Sequence, residues 1–204
     1  RLTLRPHTLK MEISFLASLT RAFATLCLVS TVMPGASTAA TVEGVSFAPQ
    51  IKAGETSLEL RGAGLLRYMV FIKAYVAAFY LPEGTPSAEA LSDVPKHLEI
   101  EYFHAIAAAD FAKATRSGIA RNVSMTGYER LKPAVEALNH LYRDVKPGDR
   151  YSLTYLPGQG TTLSLNGVPL GTVPGVDFAA GLFAIWIGAA PLDEGFRQIL
   201  LGDG

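Results

Sequence analysis

One stretch of largely apolar residues, from Leu65 to Leu81, limits the fold more than any other feature. Its sequence, LLRYMVFIKAYVAAFYL, is apolar at odd and even positions alike, which is typical of a strand buried on both faces. The pattern predicts one central strand or a tight pair of strands. It also places Arg67 and Lys73 among apolar residues, where an unpaired buried charge costs several kcal/mol. Either both cations lie at the mouth of a turn between two strands, or they hold an anion at the end of an apolar pocket.

The rest of the chain alternates between strand and helix patterns. Strands are predicted over 57–61, 96–103, 150–156, 161–166 and 168–173, and helices over 87–91, 107–121, 127–145, 175–187 and 193–201. Gly62-Ala63-Gly64 is interpreted as a break, and Pro133 as a kink or a restart within a helix. Asn166-Gly167 predicts a short hairpin. The fold class is therefore α+β, with a mainly antiparallel sheet and helices grouped on one face.

The first forty residues have the pattern of a secretory signal. Met11 is the expected start, with residues 1–10 as an upstream extension, and residues 22–33 form a short apolar core. Pro34-Gly35 and a run of small residues follow, so cleavage is expected after Ala39 or Ala40. The alternative is a buried core helix. The signal predicts a periplasmic or secreted protein with one domain, residues 41–204, that lacks the single cysteine, Cys27.

Charge and motif content exclude several classes of function. The 18 basic residues balance the 18 acidic ones without a basic block, which argues against a nucleic-acid binder. The apolar helix at 175–187 is too short to cross a bilayer, so no membrane span is expected after cleavage. His97, His104 and His140 lack the spacing of metal ligands. No Gly-x-Ser-x-Gly or phosphate loop is present, and neither a metal nor a cofactor is expected.

An ordered series of short motifs runs from residue 43 to residue 202. The motifs are Gly44-Val45-Ser46-Phe47, Gly62-Ala63-Gly64 with Arg67, Lys73-Ala74-Tyr75-Val76-Ala77-Ala78-Phe79-Tyr80-Leu81, Lys146-Pro147-Gly148-Asp149, Tyr155-Leu156-Pro157-Gly158-Gln159-Gly160, Asn166-Gly167, Ile185-Trp186-Ile187-Gly188 and Leu200-Leu201-Gly202. Through them the chain resembles the chalcone isomerase-like family, in particular its exported bacterial branch. The resemblance implies an open-faced β-sandwich, in which a large antiparallel sheet lies under a layer of helices with a ligand cleft between them.

The resemblance also implies site residues. Plant chalcone isomerases use an arginine, a tyrosine, an asparagine and two threonines, whereas related fatty-acid-binding members hold a carboxylate with the arginine and a tyrosine. Arg67 is the best match to the arginine, offset by one residue, and Tyr75 takes the place of the first threonine. Phe111, Gly118 and Ile185 take the places of the tyrosine, the asparagine and the second threonine, which removes donors that an isomerase needs.

The expected function is therefore binding, without catalysis, of a small amphipathic carboxylate such as a fatty acid, with Arg67 and Tyr75 as ligand-binding residues. Two alternatives stay open: an intramolecular lyase of the chalcone isomerase type, and a ligand-free interaction module. The shared anchor has a geometric condition. On one straight strand Arg67 and Tyr75 would lie about 26 Å apart, so the chain must bend between Tyr68 and Ile72.

Overall fold

The computed structural model of the protein describes residues 39–68 and 72–203. Most of the predicted signal, residues 1–40, lies outside these residues, so cleavage and export stay predictions. Ala40 is the first residue of a strand. Within the described residues, no helix combines the length and the apolar character needed to span a membrane.

Nine strands and four helices make up the described chain. The strands are β1 (Ala40–Val42), β2 (Val45–Phe47), β3 (Gln50–Ala53), β4 (Thr56–Tyr68), β5 (Ile72–Leu81), β6 (Lys96–Tyr102), β7 (Arg150–Leu156), β8 (Gly160–Leu165) and β9 (Val168–Val173); the helices are α1 (Ala108–Asn122), α2 (Met125–Leu141), α3 (Val176–Ile187) and α4 (Glu194–Leu201). Strands β3 to β9 form one antiparallel sheet in chain order, and β1 pairs with β2 in a separate hairpin. The predicted α+β class is confirmed.

The long apolar run forms a pair of strands rather than one strand. β4 ends at Tyr68, β5 begins at Ile72, and the two pair antiparallel along their length. Leu66 lies opposite Tyr75, and Arg67 lies opposite Lys73 after an irregularity in the register. The two strands therefore run in opposite directions, as the shared-anchor hypothesis required, and both cations lie in the pairs at the end of β4 and the start of β5.

The interpretation of Gly62-Ala63-Gly64 as a break is wrong, because β4 runs straight through it. A Cβ atom at Gly62 would lie 1.8 Å from the backbone oxygen of Ile199 in α4, and one at Gly64 would lie 2.7 Å from the Ile199 side chain. The two glycines therefore allow α4 to pack directly on the strand. A close backbone approach explains them better than a change of chain direction does.

The predicted helices are present with shifted ends. α2 continues through Pro133 and stops at Leu141 rather than at residue 145, and the segment 87–91 contains only a short 3-10 turn, Ser87–Glu89. Ser124 Oγ accepts a hydrogen bond from the backbone of Gly127 and so caps α2. Strands β1 to β3 were not predicted, because three or four residues are too few to show a clear period.

The seven-stranded sheet has two differently covered faces. The first carries Ala77, Phe79 and Leu81 of β5 and packs on the four helices; we call it the helix-covered face. The second carries Val76 and Tyr80 of the same strand and packs on β2; we call it the hairpin-covered face. Alternation along each strand sends successive side chains to opposite faces. The larger core lies on the helix-covered face, and any site between sheet and helices must lie there.

Candidate functional site

A cavity of about 740 Å³ lies between the helix-covered face and the helices. Its lining is mostly apolar and aromatic, and its volume falls within the range of small-molecule sites. The side chains with polar atoms in the lining are contributed by five elements and one loop: Tyr75 from β5, Tyr102 from β6, Asp110 and Thr115 from α1, Tyr142 after α2, Tyr151 from β7 and Trp186 from α3. The cavity thus lies between the sheet, two of the helices (α1 and α3) and the loop after α2.

Aromatic rings pack against one another around one end of the cavity. Phe111 is central to this group: its ring centroid lies 5.2 Å from Tyr102, 5.4 Å from Tyr142 and 5.2 Å from Tyr151. Most of these pairs meet edge to face, an arrangement that aromatic rings favour. Mutual packing fixes the rings and therefore the positions of their hydroxyl groups.

Two of the tyrosine hydroxyls are already bound within the protein. Tyr151 donates to the backbone oxygen of Arg143 at 2.8 Å and accepts from its backbone nitrogen at 2.7 Å. Tyr142 and Thr115 share a hydrogen bond of 2.8 Å between their hydroxyl oxygens. These contacts tie the loop after α2 to β7 and to α1, and they account for the two groups structurally.

The other two hydroxyls have donor capacity to spare. Trp186 Nε1 donates to the Tyr75 hydroxyl oxygen at 2.9 Å, and among the described residues nothing accepts the proton of that hydroxyl. Tyr102 has a nearly buried side chain, and its hydroxyl makes no hydrogen bond within the described part of the chain. Both hydroxyls border the cavity, so their protons are available there to water or to a ligand with an acceptor.

The cavity keeps its tyrosines protonated. Burial raises the pKa of Tyr75, although the bond from Trp186 opposes that rise. Burial raises the pKa of Tyr102 well above its usual range, and the neighbouring Tyr75, Tyr142 and Tyr151 raise it further. Burial also raises the pKa of Tyr142 to about 12. At neutral pH these phenols are therefore hydrogen-bond donors and not bases.

The lining carries one ionisable acid and, among the described residues, no cation. Asp110, exposed at the start of α1, is the acid. A carboxylate there also suits the partial positive charge of a helix N-terminus. The electrostatic character of the cavity is thus neutral inside and negative at one edge.

The structure places Tyr75 in the cavity but does not bring Arg67 to it. The half-exposed Arg67 lies 3.8 Å from Glu43, to which Lys73 also donates at 2.6 Å, and none of the three lines the cavity. Leu66 is the residue opposite Tyr75, and it packs with the helix-covered core. A shift of one residue along a strand moves a side chain to the other face. The one-residue offset in the family motif therefore separates Arg67 from Tyr75.

The other positions implied by the resemblance do converge on the cavity. Phe111 and Ile185 line it, and a Cβ atom at Gly118 would lie 2.8 Å from Ile185 Cγ1. The positions match the expected cleft, but the side chains there are apolar or absent.

Sequence reasoning missed Tyr102, Thr115, Tyr142, Tyr151 and Trp186 as site residues. The predicted alternation already placed Tyr102 on one face with Leu98 and Ile100. Tyrosines at strand positions that face the core were therefore the feature of the sequence that could have indicated these site residues. Which of their hydroxyls would stay unpaired depends on contacts between distant elements, such as Trp186 with Tyr75. Residues 39–68 and 72–203 contain no group of three or more metal-ligating side chains placed to hold an ion.

Comparisons with known proteins show the family and the fold. A family model described as chalcone isomerase-like matches residues 39–202. The fold is similar to the crystal structure of a fatty-acid binding protein from Arabidopsis thaliana, with a TM-score of 0.63 and 16% identity, covering 78% of this chain and 93% of that one. No curated protein sequence matches.

Proposed function

The chain belongs to the chalcone isomerase-like family, and we propose that it binds a small amphipathic lipid with one acyl chain, such as a fatty acid, without converting it. The observation that carries the proposal is the apolar cavity of about 740 Å³ between the sheet and the helices. Burying an acyl chain there contributes about 0.8 kcal/mol for each CH₂ group. The fatty-acid binding protein with a similar fold supports this choice of ligand class.

Binding without conversion is supported by the side chains around the cavity. Phe111 and Ile185 supply no hydrogen-bond donor where the family resemblance implies a tyrosine and a threonine, and Gly118 has no side chain where it implies an asparagine. Tyr75 is the sequence-predicted site residue that lines the cavity, and it is the proposed head-group contact. Arg67 would reach the same ligand only after leaving Glu43 and crossing to the other face of the strand.

Native mass spectrometry of the gently purified protein tests the proposal. We expect an adduct with the mass of an acyl lipid, which is lost on denaturation. Ala114 is exposed at the cavity lining, so Ala114→Trp should block the cavity and remove the adduct. Lys113→Trp, a similar change at an exposed neighbour outside the lining, should retain it. A bare mass for both the parent protein and Lys113→Trp, unchanged after incubation with fatty acids, would favour the interaction module instead.

We further propose that the protein acts after export, as a periplasmic or secreted domain beginning near residue 40. The support is the sequence pattern of residues 11–40 alone. The intact mass of the protein recovered from the exported fraction tests it. A first residue at Ala40 or Thr41 is expected, whereas a cell-retained chain that keeps Met11 would contradict export.

A further inference from the structure

We call the part of the cavity beside Tyr75 and Tyr102 its head-group end. This end offers hydrogen-bond donors but no positive charge among the described residues. The proton of Tyr75 is free because its oxygen accepts from Trp186, and the Tyr102 hydroxyl is unbonded among the described residues. Two donated protons match the two lone pairs of one carbonyl or hydroxyl oxygen, whereas a carboxylate presents about four acceptor sites. The Thr115–Tyr142 pair uses one of its two protons internally and adds at most one donor.

Two arginines near the cavity already bond to other groups of the protein. Arg143 follows Tyr142, but its guanidinium donates to three backbone oxygens, those of residues 140–142. Arg197 in α4 donates to Glu194 and to the backbone of Ile187.

A buried cation, Lys96, also lies on the helix-covered face. It begins β6, whereas Tyr102 ends that strand, which separates them by about 20 Å. Its Nζ donates to the backbone oxygen of Ser92 and lies 4.5 Å from the ring centroid of Tyr155. It is therefore bonded within the protein outside the lining, two residues before Leu98, where the lining of β6 begins.

Asp110 adds an electrostatic penalty for an anion. It lies in the lining at the exposed start of α1, so it repels an anionic head group that approaches this edge of the cavity, and water screens part of that repulsion. A carboxylate that entered would lose its hydration without gaining a cation, and it would face a second carboxylate. Burying a charge without a partner is unfavourable, because the lost hydration is not replaced.

Resting on the proposed function, we infer that the cavity selects acyl lipids with an uncharged, hydrogen-bond-accepting head group, such as an alcohol, an ester or an un-ionised acid, over the carboxylate anion of the same chain. Tyr75 and Tyr102 donate hydrogen bonds to the head group, and Asp110 repels an anionic head group. This refines the ligand class beyond the carboxylate that the family resemblance implied.

Three probes of equal chain length test the inference: 1-dodecanol, methyl dodecanoate and sodium dodecanoate at pH 8, where the free acid is ionised in water. The single tryptophan, Trp186, lines the cavity, so its fluorescence reports binding, and calorimetry gives an independent value. We expect the alcohol and the ester to bind at least about tenfold more tightly than the anion, a difference of about 1.4 kcal/mol.

Variants assign the selectivity to Asp110. Asp110→Asn should strengthen dodecanoate binding by roughly three- to tenfold and leave dodecanol within about twofold, since only the charge changes. Glu129→Gln removes the same charge from an exposed site on α2 outside the lining, and it should alter neither probe. Dodecanoate binding as tight as dodecanol, or an equal effect of Asp110→Asn on both, would overturn the inference and leave lipid binding intact. Failure of all three probes to bind would overturn the proposed function as well.

Discussion

The hairpin-covered and helix-covered faces receive alternate residues of the same strands, yet among the described residues it is the helix-covered face that leaves tyrosine hydroxyls without an acceptor. On the hairpin-covered face, Arg150 pairs with Glu99 at 2.8 Å and with Glu101 at 2.6 Å, and its guanidinium lies 5.2 Å from the ring centroid of Phe47. The Tyr80 hydroxyl donates to the backbone oxygen of Ala48. Charged and polar groups there find partners within the fold.

On the helix-covered face, two tyrosine hydroxyls of the same strands find no acceptor in the described part of the chain and border a cavity. Tyr75 and Tyr80 illustrate the difference, because both lie in β5 and only the first faces open space. A paired buried polar group stabilises the structure, whereas an unpaired one beside a cavity remains available to a ligand. Pairing therefore separates the structural face of this sheet from the binding face.

The largest expected effect is the loss of stability caused by Gly62→Ala, which disturbs the packing of α4 on the helix-covered face. The added Cβ would clash with the backbone of Ile199, so α4 must move or detach, and we expect a loss of more than about 4 kcal/mol in the free energy of unfolding. Urea denaturation measures it. Gly195→Ala, in α4 itself, meets only an ordinary contact at 3.4 Å and should be neutral or slightly stabilising. Equal stability of the two variants would show that α4 does not depend on this close approach.

On the hairpin-covered face, His97 should make the free energy of unfolding fall as the pH is lowered. Burial lowers the pKa of His97 to about 4, and its Nδ1 is hydrogen-bonded to Thr154 Oγ1 at 2.8 Å. Between pH 6.5 and 4 the unfolded chain binds the proton more strongly, so stability present above pH 6.5 is lost as the pH falls. The loss is at most about 3.5 kcal/mol, at roughly 1.4 kcal/mol per pH unit.

Denaturation midpoints at pH 7.5, 5.5 and 4 measure this loss. His97→Gln should show a shallower decline than the parent protein, because its side chain does not titrate. His104→Gln, at an exposed histidine, serves as the control and should keep the parent slope. Parallel declines for the parent protein and His97→Gln would remove His97 as the cause.

The comparison of faces is sharpest in the pair Tyr75→Phe and Tyr80→Phe. Each removes one hydroxyl from β5, but only the Tyr75 hydroxyl is proposed to contact a ligand. We expect Tyr75→Phe to weaken dodecanol binding by roughly three- to tenfold, in line with one hydrogen bond of about 1 kcal/mol. Tyr80→Phe should leave binding unchanged and lower stability by about 1 kcal/mol. Titration followed by Trp186 fluorescence and urea denaturation distinguish the two results.

The smallest expected effect is that of Arg67→Ala. Its side chain is half exposed and its contact with Glu43 is long, at 3.8 Å, so stability should change by less than about 0.5 kcal/mol. Ligand affinity should change by less than about twofold, because Arg67 does not line the cavity. A tenfold loss of dodecanoate binding would restore the shared anchor of Arg67 and Tyr75.

The sequence determined most of the elements from β6 onward and their order, whereas the short strands β1 to β3 were missed. Alternation in 96–103 and 150–156, the Asn166-Gly167 turn and the apolar stripe of α2 depend on neighbours along the chain, so local pattern was enough to predict them. The family motifs placed Phe111, Gly118 and Ile185 around one cleft. The role of Gly62-Ala63-Gly64 could not be predicted from local sequence. The glycines allow α4 to pack on β4, and α4 lies more than a hundred residues further along the chain.

Only the tertiary structure decided the chemistry of the site. A shift of one residue in β4 put Leu66 rather than Arg67 opposite Tyr75, and sequence spacing alone does not resolve a shift of that size. The free proton of Tyr75 likewise depends on Trp186 reaching it across 111 positions. Hydrogen-bond pairing between distant elements is a property of the packed chain, and in this protein it separates a binding donor from a structural one.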